Sequence, residues 1–118
     1  MSVTFAINGF GRIGRNIARA ALGRDDILLV AVNDLGSPEE MTHLLKYDSV
    51  HGRFPASVEL KDDHMLVAGK KVRLLSERDP KVLPWGEMNV DVVLECTGVF
   101  NSREKAAAHL AAGAKKVI

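Results

Sequence analysis

Three glycines and one aspartate near the start of the chain have the types and the spacing of a phosphate and ribose site. Gly9, Gly11 and Gly14 directly follow an apolar run, and Asp34 follows Gly14 by 20 residues. The first glycine permits a tight strand-to-helix turn, the second lets a pyrophosphate approach the backbone, and the third lets the helix pack closely on the strand. The free N–H groups of that helix then face the anion. A carboxylate about 20 residues further on accepts hydrogen bonds from a ribose. These residues predict a dinucleotide-binding βαβ unit.

The elements needed to position these residues follow one another in the required order. A strand is predicted over 3–7, and a second over 27–32 that leads into Asn33 and Asp34. The helix between them is expected to end near Gly23. Three- and four-residue spacing predicts its two faces, one apolar (Ile13, Ile17, Ala20, Ala21) and one polar (Arg12, Arg15, Asn16, Arg19). The alternative is an ordinary α/β turn without a ligand, since glycine pairs occur in many loops.

The rest of the chain continues the alternation of strands and helices. Ser37, Pro38 and Glu40 form a capping box that predicts a helix to about Lys46. Short strands are predicted over 56–61, 65–68 and 72–76, and a strand buried in a parallel sheet over 90–95. An alanine-rich helix follows from Asn101 to Gly113, and residues 116–118 begin another strand. Because this strand stops at its third residue without a polar tail, we expect the chain to be the front part of a longer protein.

Composition narrows the class of protein. The 118 residues suffice for one domain, and 47% hydrophobic with 26% charged residues suits a globular core. A formal charge of +1 and scattered basic residues give no reason to expect nucleic acid or a membrane surface as a partner. The N-terminus has no basic region followed by an apolar one, so a cytoplasmic location is expected.

Other reactive residues give weaker signals. Cys96 ends a predicted buried strand beside Glu95, and neither apolar surroundings nor a carboxylate stabilises a thiolate, so a structural role is expected. The four histidines, His43, His51, His64 and His109, lack metal-ligand spacing, so no metal is expected. His43 and His109 lie on predicted helices, and His64 lies in a predicted polar turn. Trp85, which follows Pro84, is interpreted as a packing anchor.

Beyond these patterns, the sequence closely resembles the NAD-binding part of glyceraldehyde-3-phosphate dehydrogenase over essentially its whole length. The resemblance lies in the segments 7–15 (INGFGRIGR), 32–35 (VNDL), 43–54 (HLLKYDSVHGRF), 77–80 (ERDP), 83–85 (LPW), 95–98 (ECTG) and 112–118 (AGAKKVI). It implies an α/β fold of Rossmann type, a mostly parallel sheet with helices on both faces, truncated at the C-terminal side. The family's catalytic Ser-Cys-Thr-Thr segment and its partner histidine are not in this sequence.

The resemblance also implies roles for individual residues. The backbone of Arg12 and Ile13 would hold the pyrophosphate of NAD, and Asp34 the adenosine ribose. Leu35 and Phe100 would flank the adenine, and the main chain of Arg78 would meet its edge. Phe100 could instead belong to the core, and Arg78 could simply pair with a surface acid. The full implied cofactor set is Asn8, Gly9, Gly11, Arg12, Ile13, Gly14, Asp34, Leu35, Arg78, Thr97, Gly98 and Phe100, and it contains no catalytic residue.

The resemblance implies that residues 1–118 are a partial NAD-binding domain. The parent enzyme would oxidise its aldehyde as a thiohemiacetal, pass hydride to NAD and release the acyl group to phosphate. Its partners would be its own catalytic domain and the sister subunits of a homotetramer. Two alternatives stay open: the cofactor domain of erythrose-4-phosphate dehydrogenase, and a stand-alone nucleotide-binding module without chemistry.

Overall fold

The computed structural model describes residues 3–21, 24, 26–47, 58–61, 64–67, 70–77, 83–96 and 102–118. Its three helices are α1 (Arg12–Ala21), α2 (Pro38–Tyr47) and α3 (Ser102–Ala111). Its strands are β1 (Val3–Asn8), β2 (Ile27–Asn33), β3 (Val58–Lys61), β4 (His64–Val67), β5 (Lys70–Leu75), β6 (Val92–Glu95) and β7 (Lys116–Val117). None of the described helices has the length and apolar character needed to cross a membrane.

The described strands form one sheet in the order β3-β4-β5-β2-β1-β6-β7. The five strands from β5 to β7 run parallel, while β3, β4 and β5 are joined as antiparallel neighbours. The chain moves outward from β1 through β2 and then returns to the other side of β1 with β6. Open parallel sheets bind ligands outside the carboxyl ends of the strands at such a reversal of strand order. The predicted mostly parallel α/β sheet is confirmed.

Side chains alternate across the sheet and fill two cores. Phe5 and Ile7 pack with Met41 and Leu45 of α2 and with Ala18 of α1. The intervening Ala6 belongs to a second cluster on the opposite face, which also contains Trp85, Val90 and Val93. Since α3 lies over this second face, helices cover both sides of the sheet, as expected.

The predicted faces of α1 were wrong in three positions. Ile13 is 67% exposed and Ala20 is also exposed, whereas Arg15 is only 8% exposed. The helix buries Gly14 and Ala18, whose small size lets its axis come close to the sheet. Arg15 is buried with a partner, since its guanidinium Nη1 donates to the Phe10 carbonyl at 2.9 Å.

Two further predictions concern the edges of elements. The cap of α2 is confirmed, because the Glu40 N–H donates to Ser37 Oγ at 3.0 Å. The turn predicted at His64 was wrong: His64 starts β4 and is paired with Lys61 and Arg73 in the antiparallel ladder. The helix end predicted at Gly23 lies outside the described residues.

Candidate cofactor site

The turn after β1 has the geometry that the glycine spacing predicts. Gly9 has a φ of 97°, which glycine adopts without the steric cost of a Cβ atom. Its N–H donates to the Asn33 carbonyl at 2.8 Å, and the Phe10 N–H donates to Asp34 Oδ2 at 2.7 Å. The turn that opens α1 is therefore held directly by the end of β2.

The other two glycines occupy opposite environments. A Cβ on Gly14 would lie 2.6 Å from the Gly9 carbonyl oxygen and 3.0 Å from Ile7 Cγ2, so the predicted close packing of helix on strand is confirmed. A Cβ on Gly11 would meet nothing within 4 Å, because that side of the turn faces open space. The first turn of α1 contains no acidic residue, and the positive end of the helix dipole there favours an anion.

Asp34 lies just beyond the carboxyl end of β2 and is only half-buried. Its Oδ2 accepts from the Phe10 N–H, and its Oδ1 accepts from the Gly36 N–H at 2.9 Å. An ionised carboxylate has about four acceptor positions, so both oxygens keep capacity for ribose hydroxyls. The two backbone bonds fix the direction in which that capacity points.

Two exposed apolar residues stand at the ends of these elements. Ile13 is 67% exposed in the first turn of α1, and Leu35 is 58% exposed directly after Asp34. The structure brings Gly9, Phe10 and Asp34 together and places Gly11, Ile13 and Leu35 beside them in the chain. Arg12 begins α1, and nothing further is described of its side chain. Four predicted contacts, Arg78, Thr97, Gly98 and Phe100, lie outside the described residues.

Sequence reasoning missed a chain of hydrogen-bonded side chains behind the turn. We call it the polar chain; its members are Asn8, Asn33, Glu95, His109 and Trp85. Asn8 and Asn33 end two neighbouring parallel strands, and Asn8 is in register with both Asn33 and Glu95. A polar residue at the end of each of three adjacent apolar strands was a signal that could have been recognised.

Cys96 follows the end of β6 and is half-buried against the first core cluster. Its N–H donates to the Asn8 carbonyl at 2.8 Å. Burial raises the pKa of the Cys96 thiol above its ordinary value, and the negative charge of Glu95 raises this pKa further. The thiol is therefore held in its unreactive protonated form, in keeping with a structural role.

The remaining candidates can also be placed. Trp85 is completely buried in the second core cluster, as a packing anchor should be. Within the part of the chain that the structure describes, no three His, Cys, Asp or Glu side chains are grouped to hold a metal ion.

Comparison with known protein families decides which nucleotide-binding fold this is. The sequence model of the family described as "Glyceraldehyde 3-phosphate dehydrogenase, NAD binding domain" matches residues 3–103. The chain belongs to this family. NAD is the cofactor that the family's description names, and the glycine turn with Asp34 is the part of the structure that fits it.

Individual relatives agree with the family assignment. The chain is 58% identical to glyceraldehyde-3-phosphate dehydrogenase from Geobacillus stearothermophilus and 56% identical to that from Salmonella typhimurium, with all of this chain aligned in each case. It is 55% identical to the chromosomal enzyme from Cupriavidus necator. The alignments cover 35% to 36% of these relatives, so the chain spans about a third of their length.

Proposed function

We propose that residues 1–118 are the cofactor-binding part of a phosphorylating glyceraldehyde-3-phosphate dehydrogenase. The observation that carries this proposal is the bond from the Phe10 N–H to Asp34 Oδ2, because it joins the phosphate turn to the ribose acid in one rigid unit. The bound nicotinamide supplies the hydride acceptor. This chain's own residues bind and orient the cofactor.

The adenosine half of the cofactor has the best-supported partners. The N–H groups at Gly11, Arg12 and Ile13 face the pyrophosphate, and Gly11 leaves the space that this approach requires. Asp34 accepts hydrogen bonds from the ribose, and the exposed side chain of Leu35 supplies apolar area to the adenine. The family resemblance adds Phe100, the main chain of Arg78, and Thr97 and Gly98 as the lining of the cleft.

The proposal assigns no chemistry to this chain acting alone. Its thiol, Cys96, is kept protonated by burial and by the charge of Glu95, which is the opposite of what a nucleophile needs. Aldehyde oxidation is assigned to the whole protein, with this domain joined to its catalytic domain in a cytoplasmic homotetramer. The purified 118-residue chain is expected to show no dehydrogenase turnover.

Cofactor choice tests the proposal. NADP places a phosphate of about −1.5 to −2 charge where Asp34 would meet the ribose of NAD. Two like charges about 4 Å apart repel by about 1 kcal/mol in water and about 4 kcal/mol at the effective dielectric of a protein surface. We therefore expect NAD to bind at least about tenfold tighter than NADP.

Titration calorimetry of the purified chain with each cofactor measures this ratio. The Asp34→Ala variant should reduce the difference in affinity between NAD and NADP, mainly by weakening the binding of NAD. Asp26→Ala is a matched control, because Asp26 is an exposed aspartate at the opposite end of β2, bonded to Arg24. Equal affinities of the unmutated chain for the two cofactors would refute the ribose role of Asp34.

A further inference from the structure

The buried histidine of α3 has a proton position that its neighbours dictate. His109 is completely buried, and its two ring nitrogens have different partners. Nδ1 lies 3.0 Å from Trp85 Nε1, and Nε2 lies 3.0 Å from Glu95 Oε1. Indole Nε1 can only donate a hydrogen bond, so Nδ1 of His109 must accept it. A neutral imidazole then carries its proton on Nε2 and donates that proton to Glu95.

The other protonation states each lose a short hydrogen bond. A proton on Nδ1 would face the Trp85 N–H, and it would leave the lone pair of Nε2 against the Glu95 oxygen. Among the described residues, the donor at that lone pair would then be Asn8 Nδ2, which lies at the longer distance of 3.4 Å from His109 Nε2. Doubly protonated His109 would keep the hydrogen bond to Glu95. Its Nδ1–H and the Trp85 Nε1–H would then be two donors facing each other. The neutral Nε2–H form is the one that satisfies both 3.0 Å hydrogen bonds.

Further hydrogen bonds lead from Glu95 toward the glycine turn. Asn8 Nδ2 donates to the same Glu95 Oε1 at 2.7 Å, and Asn8 Oδ1 accepts from Asn33 Nδ2 at 2.7 Å. Asn33 also pairs with the Glu77 backbone, accepting from its N–H at 2.8 Å and donating to its carbonyl at 2.9 Å. Since an amide nitrogen cannot accept, the carboxylate of Glu95 sets the orientation of Asn8, while the two bonds to the Glu77 backbone set that of Asn33.

These amides control the strand ends that carry the site. Asn8 is the last residue of β1, directly before Gly9, and Asn33 is the last residue of β2, directly before Asp34. Their backbone carbonyls accept from the N–H groups of Cys96 and Gly9, both at 2.8 Å. The side chains of Asn8 and Asn33 are therefore anchored directly beside the glycine turn and the Asp34 carboxylate.

The position of His109 is itself fixed by a backbone contact. The Gly86 N–H donates to the Ala112 carbonyl at 3.0 Å, which joins the segment 83–91 to the end of α3. A Cβ on Gly113 would lie 2.4 Å from Gly86 Cα, so the two backbones approach too closely for any side chain. This contact places Trp85 beside His109.

We infer that His109, as the neutral Nε2–H tautomer, is a positioning residue of the cofactor site and acts through Glu95 and Asn8. Both of its ring nitrogens are engaged by Trp85 and Glu95, so it would act on the site without contacting the cofactor. The inference rests on the proposed NAD site for its functional part, whereas the proton position stands on the contacts of the imidazole alone.

Nitrogen-15 NMR of the histidine rings tests the proton position without any cofactor. The expected spectrum at pH 7.5 shows His109 with an attached proton on Nε2 and a hydrogen-bonded, unprotonated Nδ1. Trp85→Phe removes the donor, and the Nδ1 signal should move toward that of a free acceptor. A proton on Nδ1 in the unmutated chain, or an imidazolium, would overturn the inference.

Calorimetric titration with NAD tests the positioning role. His109→Leu fills the same space without either hydrogen bond and should weaken NAD binding about tenfold, the lower range for loss of a supporting partner. His109→Gln offers a donor and an acceptor at the tip of its side chain and should restore most of the affinity. Trp85→Phe, which removes one bond only, should have an intermediate effect.

A stability control separates positioning from general damage. Val93→Ala truncates a completely buried apolar residue of β6 in the second core cluster. It should lower the denaturation midpoint while NAD affinity stays within about twofold of the unmutated chain. If His109→Leu folds and binds NAD with unchanged affinity, the positioning role is refuted. If the unmutated chain does not bind NAD, the proposed function fails, and the NMR result still decides the proton position.

Discussion

The glycine turn (Gly9 to Gly14) and the polar chain behind it occupy the same edge of the sheet, but they are built in opposite ways. All the glycines of the turn lie within six consecutive residues, so its geometry follows from a local motif. The polar chain joins residues that are far apart in sequence, since Glu95 follows Asn8 by 87 positions and His109 follows Trp85 by 24. Its geometry exists only after the sheet has formed.

The difference teaches that contact with the cofactor and support of the site are divided between two groups of residues, with Asn8, an expected cofactor residue, buried in the supporting group. The turn presents open space at Gly11 and leads into the N-terminus of α1. The polar chain presents buried side chains that are hydrogen-bonded to one another and, at Asn33, to the Glu77 backbone. Variants of the turn should therefore change binding and stability independently, whereas variants of the polar chain should change both.

The largest effect is expected from Gly11→Val. The branched side chain would stand in the space through which the pyrophosphate approaches, so NAD binding should fall below detection by calorimetry. Stability should change by less than about 1 kcal/mol, because a Cβ at this position meets no protein atom within 4 Å. Asn16→Val, on an exposed position of α1, is the matched control and should bind NAD normally. Normal binding by Gly11→Val would place the phosphate elsewhere.

A smaller effect, mainly on stability, is expected from Gly14→Ala. The new methyl group would lie 2.6 Å from the Gly9 carbonyl oxygen, which is backbone and cannot rotate away. Overpacking of this kind typically costs about 1 to 3 kcal/mol, measured as a lower midpoint of urea denaturation. Ala20→Ser, at an exposed site on the same helix, should leave the midpoint nearly unchanged. If the Gly14→Ala variant were as stable as the unmutated chain, α1 would have to be free to move away from the sheet.

The smallest effect is expected from Cys96→Ser, which should alter NAD affinity by less than about twofold because the thiol serves packing. The raised pKa of the thiol gives a separate test. Alkylation by iodoacetamide requires the thiolate, so its rate should level off at a higher pH than for an exposed cysteine peptide.

The raised pKa of the Cys96 thiol also determines how the free energy of unfolding should change with pH. The folded chain holds the Cys96 proton more tightly than the unfolded chain does. The stabilisation is therefore complete below the unfolded pKa of the thiol and is lost as the pH rises through the folded value. Cys96→Ser should remove this part of the pH dependence, and an unchanged profile would contradict a buried thiol.

Much of the fold could be predicted from sequence, because strand and helix periods, the Ser37 cap and the glycine spacing are all local signals. The buried face of α1 could not be predicted in the same way. The spacing of apolar residues assigns large ones such as Ile13 to the buried face, whereas close packing on the sheet requires small residues, here Gly14 and Ala18. The strand start at His64 was missed because its identity depends on pairing with Lys61 and Arg73. His109 was missed for a similar reason: its role comes from Trp85 and Glu95, which only the folded sheet brings to it.

The central claim is that NAD binds at the carboxyl edge of β1 and β2, and amide chemical shifts of the nitrogen-15-labelled chain test it most directly. Addition of NAD should shift the signals of Gly9, Gly11, Ile13 and Leu35. The opposite end of the sheet has an apolar pocket that serves as an internal control, lined by Ala18, Ala21, Ile27, Leu28, Leu29, Leu45, Val67, Lys70 and Val72. Shifts confined to that pocket, with the glycine turn unchanged, would contradict the account.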